Sequence, residues 1–226
     1  LAVAALKNIE DLNKDLASGR FGLSKKSKHI EYSKAVNTLM ASNWFIKGYY
    51  DEKNGKFNEA VESYNNVIAE LPDFKYIYYR RGIAYAMIDK YQHAIKDFEK
   101  AVALDPDLNT DDVYFYYARG SASAEIGDHI QAARDFTKAI TLDPEHADSY
   151  AKRGIAYFKF GKYRQAISDF NTALNLDPQN DGVYYNRGLA YLLMGKDKMS
   201  IDDFIDSARL GNKEAQNYLK SNDIKW

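Results

Sequence analysis

The sequence predicts an all-α fold built from tandem helix pairs, and three observations predict it. Four prolines are separated by 34, 38 and 34 residues, at Pro72, Pro106, Pro144 and Pro178. Four Arg-Gly pairs recur at intervals of 38, 34 and 34 residues, beginning at Arg81, Arg119, Arg153 and Arg187. Within these intervals stand glycines that suit a left-handed helix terminus, and the prolines cannot continue a helix. Such a period is typical of a repeat array in which each unit buries its apolar face against its neighbours.

Alignment on the prolines gives five units, which begin at residues 41, 75, 113, 147 and 181. The fourth column is aromatic: Trp44, Tyr78, Tyr116, Tyr150 and Tyr184. The eighth column is glycine: Gly48, Gly82, Gly120, Gly154 and Gly188. The twentieth column is small: Ala60, Ala94, Ala132, Ala166 and Ser200. The twenty-fourth is aromatic again: Tyr64, Phe98, Phe136, Phe170 and Phe204. Small residues suit places where two helices approach closely, and aromatic rings at helical spacing fill the core beside them.

These columns resemble the tetratricopeptide repeat family, whose unit is a helix–turn–helix of 34 residues. The cleanest copy is "ADSYAKRGIAYFKFGKYRQAISDFNTALNLDP" at 147–178, and the five copies cover about three quarters of the chain. The resemblance implies an all-α, right-handed superhelical solenoid. Its five repeats are expected at 41–74, 75–112, 113–146, 147–180 and 181–210, with a C-terminal capping helix at 211–226.

Residues 1–40 are expected to form an N-terminal extension of the array. Residues 1–16 place apolar side chains on one helical face, namely Leu1, Ala5, Ile9, Leu12 and Leu16, and charged side chains opposite. The segment "SGRFGLSKKSKH" (18–29) is interpreted as a flexible basic linker. The segment "IEYSKAVNTLM" (30–40) is predicted to be a second helix that caps the first repeat.

The composition excludes several classes of protein. The chain of 226 residues carries a formal net charge of −1 and therefore lacks the broad basic surface of non-specific nucleic-acid binding. It contains no cysteine, which excludes disulfides, thiol nucleophiles and cysteine-ligated metals. No apolar run approaches the ~18 residues that a transmembrane helix needs. The cysteine-free sequence favours the cytoplasm, while "LAVAAL" (1–6) keeps open a lost targeting or anchor segment.

An arginine and an aspartate sixteen residues apart recur in four of the five units. The pairs are Arg81 with Asp97, Arg119 with Asp135, Arg153 with Asp169, and Arg187 with Asp203. The first unit has Lys47 and Ser63 instead, so the acid disappears where the arginine does. We interpret the pattern as a ladder of ion pairs between the two helices of each unit. An arginine stripe that binds anions is the functional alternative.

The resemblance implies that the first helix of each unit lines a concave groove, through its second, fifth, ninth and twelfth columns. The expected groove residues in these columns are Phe45, Tyr49, Tyr76, Tyr79, Ile83, Tyr114, Tyr117, Ile155, Phe158, Tyr185 and Leu189, and the neighbouring Arg80, Lys152 and Asn186 are expected there too. An apolar, aromatic groove that stacking alone does not require is typical of peptide or helix recognition. The alternative is that these side chains cover one another or pack on an additional helix.

No constellation of catalytic or metal-binding residues stands out. The four histidines lack the spacing of metal ligands. "DPDLNTDD" (105–112) begins like a calcium loop, but Thr110 replaces the required glycine and Tyr116 the bidentate acid. Some tetratricopeptide domains clamp the C-terminal carboxylate of chaperones with lysine and asparagine, and of that pattern this chain matches Asn186 alone. We therefore expect no enzymatic activity, no cofactor and no metal.

The predicted function is a non-enzymatic scaffold or adaptor that holds a protein or peptide ligand, of unknown identity, in the concave groove. The alternative is a self-assembling structural protein in which the helix at 1–16 docks into its own groove or into that of a neighbour, giving a homo-oligomer. No nucleic-acid partner is expected.

Overall fold

Helices make up almost all of the part of the chain that the computed structural model describes, residues 25–104 and 113–226, with side chains from residue 37 onward. Within these ranges the chain forms eleven helices and no strand, so the all-α prediction is confirmed. Two compact units are present, unit 1 at Leu1–Leu108 and unit 2 at Asn109–Trp226. None of the helices in the described ranges combines the length and the apolar character that crossing a bilayer demands.

Unit 1 contains four of these helices in two packed pairs. They are α1 (Lys25–Lys53), α2 (Phe57–Glu70), α3 (Lys75–Ala86) and α4 (Tyr91–Leu104). Helix α1 packs on α2, α2 on α3, and α3 on α4, so each helix contacts its neighbours along the chain. This contact pattern is that of stacked helix–turn–helix repeats.

Unit 2 contains three helix pairs and a closing helix. They are α5 (Val113–Glu125), α6 (His129–Leu142), α7 (Ala147–Lys159), α8 (Tyr163–Leu176), α9 (Asp181–Leu193), α10 (Asp197–Arg209) and α11 (Lys213–Ser221). The strongest packing is within the pairs α5–α6, α7–α8 and α9–α10, and α11 packs on α10.

The helix boundaries follow the glycines and prolines. The turn inside four of the helix pairs contains a glycine with φ between +68° and +84°: Gly55, Gly127, Gly161 and Gly195. In the pair α3–α4 the same place is taken by Asp89, with φ +58°, because a short polar side chain tolerates the left-handed region better than others. Helices α2, α6 and α8 each end two residues before a proline, which disfavours helical backbone at the residue preceding it.

The N-terminal extension differs from the prediction. Helix α1 runs without interruption from Lys25 to Lys53, so Lys25–His29, predicted as part of a flexible linker, is helical and joins the expected helix at 30–40. No glycine or proline occurs between Lys25 and Met40, so nothing in the sequence ends the helix there. The amphipathic helix predicted at 1–16 and the calcium-like segment at 105–112 lie outside the described residues.

Each helix pair is closed by an aromatic ring pressed against a glycine. The rings of the twenty-fourth column are fully buried: Tyr64, Phe98, Phe136, Phe170 and Phe204. A Cβ added to Gly154 would lie 2.6 Å from Cε1 of Phe170, so the ring occupies the space that a side chain would need. The fourth-column rings vary in burial: Tyr78 is buried, Tyr150 is half-buried and Trp44 is exposed.

The predicted ladder of ion pairs is confirmed in all four repeats that contain the arginine and the aspartate. Each arginine donates from Nε and Nη2 to the two carboxylate oxygens of its aspartate, at N···O distances of 2.6–2.9 Å. In the first repeat Lys47 instead donates to Asp51 at 2.8 Å and to Ser63 at 3.2 Å. Because the guanidiniums are paired in this way, the alternative of an anion-binding stripe is wrong.

Three of these arginines also connect their unit to the preceding one. Arg81 donates from Nη1 to Asn65 of α2 at 2.6 Å, and Arg187 donates to Asn171 of α8 at 2.7 Å. Arg153 makes the corresponding bond to Thr137 of α6 at 3.1 Å. The third guanidinium nitrogen, Nη1, therefore links neighbouring helix pairs by a hydrogen bond. The sequence pattern did not predict this link.

We expect Gly154→Ala to destabilise the protein by about 1–2 kcal/mol, because a methyl group would collide with the buried Phe170 ring by more than helix propensity gains. Urea unfolding measures this difference. The matched control is Gly182→Ala in the first turn of α9, where the nearest atom to an added Cβ is 3.6 Å away. That control should be neutral or slightly stabilising. Equal stability of the two variants would contradict the packing described.

Candidate functional site

In unit 1 the predicted groove residues lie on α1 and α3. The ring of Phe45 packs on Phe74 at 6.0 Å and on Tyr76 at 6.2 Å between centroids. Tyr79 is 5% exposed and lies between Tyr76 and the buried Phe98, so its ring belongs to the core rather than to an open surface. Ile83 is half-buried. Tyr49 and Tyr76 keep 42% and 36% of their surface exposed.

A buried polar network lies beside these rings. Arg80 donates from Nη2 to Oε1 of Glu52 at 2.7 Å, and the Tyr64 hydroxyl donates to Oε2 of the same carboxylate at 2.6 Å. The Arg80 guanidinium also lies 4.8 Å from the centroid of the Tyr49 ring. Burial and the hydrogen bond to Glu52 raise the pKa of Tyr64 above its ordinary value. Arg80, predicted as a groove residue, is therefore held in place by Glu52.

Sequence reasoning did not assign Glu52 and Tyr64 to this network, although a signal existed. Tyr64 is the one tyrosine in a column where the other four units carry phenylalanine. A buried phenol needs a hydrogen-bond partner, and Glu52, twelve residues earlier, supplies it.

In unit 2, Tyr114 and Tyr117 of α5 lie beside His146, which comes from the turn between α6 and α7. Tyr114 is 67% exposed, and its ring meets that of His146 edge-on at 6.0 Å. Tyr117 is half-buried and packs on Phe136 at 6.0 Å and on His146 at 5.2 Å. His146 was not identified from the sequence as part of this aromatic surface. Its ring also caps α7 by accepting a hydrogen bond from the Ser149 amide.

On α7, the predicted groove residues Ile155 and Phe158 are half-buried against a core cluster that includes Phe170 and Leu174. The Phe158 ring also contacts that of Tyr163 at 5.6 Å. Lys152 is half-buried on the same helix. These side chains therefore contribute to packing and present part of their surface to solvent.

The predicted groove residues of α9 are occupied by contacts within the chain. Tyr185 and Leu189 pack against a cluster formed with Leu219 and Ala215 of the closing helix α11. Asn186 donates from Nδ2 to the Gly182 carbonyl at 2.7 Å, within its own helix. In this last repeat, packing on an additional helix, the alternative raised from the sequence, is what the structure shows.

The surface left available is aromatic and of mixed charge. Tyr49 and Tyr76 in unit 1 and Tyr114 in unit 2 offer ring faces together with phenolic hydroxyls. Such rings bind apolar side chains and hydrogen-bond to peptide groups. Within residues 25–104 and 113–226 no cluster of histidine and acidic side chains has the arrangement of a metal site.

The fold and these faces define a protein of stacked helix pairs, and comparison with known sequences identifies its family. Models described as "Tetratricopeptide repeat" match residues 76–108, 113–146 and 136–168, and one described as "TPR repeat" matches 156–195. The chain belongs to the tetratricopeptide repeat family. This fold is that of a protein-interaction scaffold, and proteins that have it are generally not enzymes. No curated protein matches the sequence.

Solved structures of tetratricopeptide proteins are similar to this chain. A crystal structure of MamA is 26% identical, with a TM-score of 0.67, and the match covers 78% of this chain and 94% of that one. MamA from Desulfovibrio magneticus RS-1 is 20% identical, with a TM-score of 0.69 and coverages of 76% and 94%. YrrB, described as a TPR protein with an unusual peptide-binding site, is 18% identical, with a TM-score of 0.70 and coverages of 87% and 98%.

Glu52→Gln should lower the free energy of unfolding by about 1–3 kcal/mol, because Arg80 would keep its burial and lose the charge that compensates it. Chemical denaturation of the two proteins provides the measurement. Glu62→Gln, an exposed position on α2, removes the same charge and should change stability by less than about 0.5 kcal/mol. Similar losses in the two variants would show that net charge, rather than this network, determines the effect.

Proposed function

We propose that this chain is a scaffold that binds a peptide or helical segment of a partner protein. The binding residues are exposed aromatic side chains on the first helix of individual repeats. The observation that carries the proposal is the exposure of Tyr49 and Tyr76 on unit 1 and of Tyr114 on unit 2. Tyrosine is enriched among the residues that contribute most of the binding energy at protein interfaces.

A comparison among the repeats supports this assignment. Tyr76 and Tyr114 occupy the second column, where the other three units carry Ser42, Asp148 and Gly182. The helix pair forms with any of these residues, so stacking does not require the tyrosine. A tyrosine that the fold does not need is available for a partner, and it loses little conformational entropy on binding.

The neighbouring charges favour a peptide of mixed character. Arg80 and Glu52 lie beside Tyr49, and Lys152 and Asp148 lie on α7. Because Arg80 and Glu52 are paired with each other and Lys152 and Asp148 have opposite charges, the surface matches an amphipathic segment better than a strongly acidic or basic one. YrrB, whose similarity to this chain concerns the fold, is described as having a peptide-binding site, which is consistent with a tetratricopeptide array used in this way.

The test is a peptide selection followed by affinity measurement on matched variants. Heptapeptides from a random displayed library are selected on the wild-type protein, synthesised with a fluorescent label, and titrated by fluorescence polarisation. We expect Tyr114→Ala, or the pair Tyr49→Ala and Tyr76→Ala, to weaken at least one selected peptide by roughly tenfold, the loss of one aromatic anchor.

The control is Tyr50→Ala, which removes an exposed ring from α1 about 100° around the helix from Tyr49. Tyr79→Ala is unsuitable as a probe because truncating this buried ring would leave a cavity and destabilise unit 1. The proposal would be wrong if no selected peptide distinguished the tyrosine variants from the Tyr50 control.

A second candidate function is self-assembly through the predicted helix at residues 1–16. Helix α1 exposes Met40 and Trp44, which are four residues apart and therefore form apolar surface on one face near the start of the array. Trp44 occupies the fourth column, and its counterpart Tyr78 donates a hydrogen bond to the Pro72 carbonyl of the preceding unit. The apolar residues predicted on one face of 1–16 match this surface in character.

Removal of residues 1–22 tests self-assembly, and light scattering gives the molar mass before and after the deletion. If the segment docks into a neighbouring chain, the full chain should exceed its monomer mass of 25.8 kDa and the shortened chain should not. Far-UV circular dichroism controls for folding, since α1 begins after the deletion. An oligomer that persists without residues 1–22, or a monomeric full chain, would refute intermolecular docking.

A further inference from the structure

A recess of about 510 Å³ lies in unit 2 between α6 and the end of α7. Ile130, Ala133 and Arg134 of α6 line one side, and Tyr157, Phe160 and Lys162 line the other. Ile130 is 55% exposed, and Phe160 is exposed as well. A pocket of this volume is large enough for an aromatic or branched side chain.

The recess exists because this repeat departs from the others at two columns. In the twenty-first column Ala133 stands where the other units carry Val61, Ile95, Ile167 and Ile201. In the eighteenth column Ile130 stands where the other units carry Asn58, Gln92, Arg164 and Lys198. The small Ala133 opens the space, and Ile130 makes its edge apolar. Both changes favour an apolar occupant over water.

The charges at the recess are positive. Arg134 and Lys162 are the titratable side chains that line it apart from the Tyr157 phenol. The Lys162 ammonium lies 5.9 Å from the Tyr157 ring centroid and 6.0 Å from that of Phe160. No ion pair joins either cation to a carboxylate in the part of the chain that the structure describes. Each can therefore accept an acidic partner without losing an existing one.

This recess is separate from the proposed peptide-binding face of the same helix. Tyr157 follows Ile155 by two residues, which places the two side chains about 200° apart around α7. Tyr157 belongs to the side that carries Arg153 and its bond to Thr137, whereas Ile155 belongs to the predicted groove. A ligand in the recess would thus leave the groove side of α7 open.

We propose that the recess binds a short acidic peptide segment that carries one large apolar side chain. The apolar side chain occupies the space above Ala133, against Ile130 and Phe160, and a neighbouring carboxylate lies between Arg134 and Lys162. Two cations at an apolar pocket suit a single acidic residue, whereas nucleic acid needs a longer row of positive charge.

The experiment compares peptides that bind the wild type with those that bind a variant whose recess is filled. A random heptapeptide library displayed on phage is depleted on Ala133→Ile, which installs the residue that three other repeats carry, and then selected on the wild type. Recovered peptides should share an aromatic or branched residue next to Asp or Glu. Synthetic copies should bind Ala133→Ile at least tenfold more weakly than wild type.

Further variants assign the two halves of the site. Arg134→Ser, the residue of the next repeat at Ser168, should weaken binding several-fold and reduce its salt dependence. Ile130→Arg, as at Arg164, should abolish binding, and it tests the recess independently if Ala133→Ile folds poorly. Tyr114→Ala should have no effect, so failure of this site and failure of the groove are distinguishable.

Three outcomes would overturn the proposal. The first is that no enriched peptide distinguishes Ala133→Ile and Ile130→Arg from wild type. The second is that the enriched peptides are basic or lack a large apolar residue. The third is that a labelled single-stranded oligonucleotide binds and loses affinity in Arg134→Ser, which would assign the recess to nucleic acid.

Discussion

The close approach of two helices at a glycine, sealed by an aromatic ring, is the contact on which each repeat depends. Because Gly154 has no side chain, the Phe170 ring lies directly against the backbone of α7. That contact fixes how near α7 and α8 lie, and the fixed distance brings Arg153 within reach of both carboxylate oxygens of Asp169. The ion pair thus depends on the packing, and its third nitrogen extends the same alignment to the preceding helix pair.

Since the scaffold uses one stripe of each helix, the other stripes are free to differ between repeats. The repeated columns explain stacking, and the departures from them carry the functional argument. Tyr114 is a departure in the second column, and Ala133 is one in the twenty-first. Neither is needed for the fold, because other units stack with different residues there. Comparison of the repeats at one column therefore shows which side chains are not required for packing.

The sequence was sufficient for the fold class, the glycine and proline boundaries and the arginine–aspartate ladder, because all three repeat at a fixed interval. The sequence was insufficient for contacts that occur at one place in the chain and do not recur in the other repeats. The ion pair of Arg80 and Glu52 occurs once, between the first and second repeats, and His146 acts once as both cap of α7 and ring partner of Tyr117. Column reasoning placed Tyr79 in the groove, but depth along a face depends on local packing, which periodicity does not report.

The dependence of the fold on the repeated columns also determines at which residues ligand binding can be tested. Residues in the repeated columns are coupled to two helices at once, so changing them alters stability and obscures any effect on binding. Tyr185 and Leu189 lie outside those columns but are coupled in the same way, since the closing helix covers them and their loss would disturb the end of the array. Ile130, which is 55% exposed, is a departure with less of that coupling, and substitutions at such exposed positions usually change stability by less than about 0.5 kcal/mol. Binding effects at such positions can therefore be attributed to the surface itself.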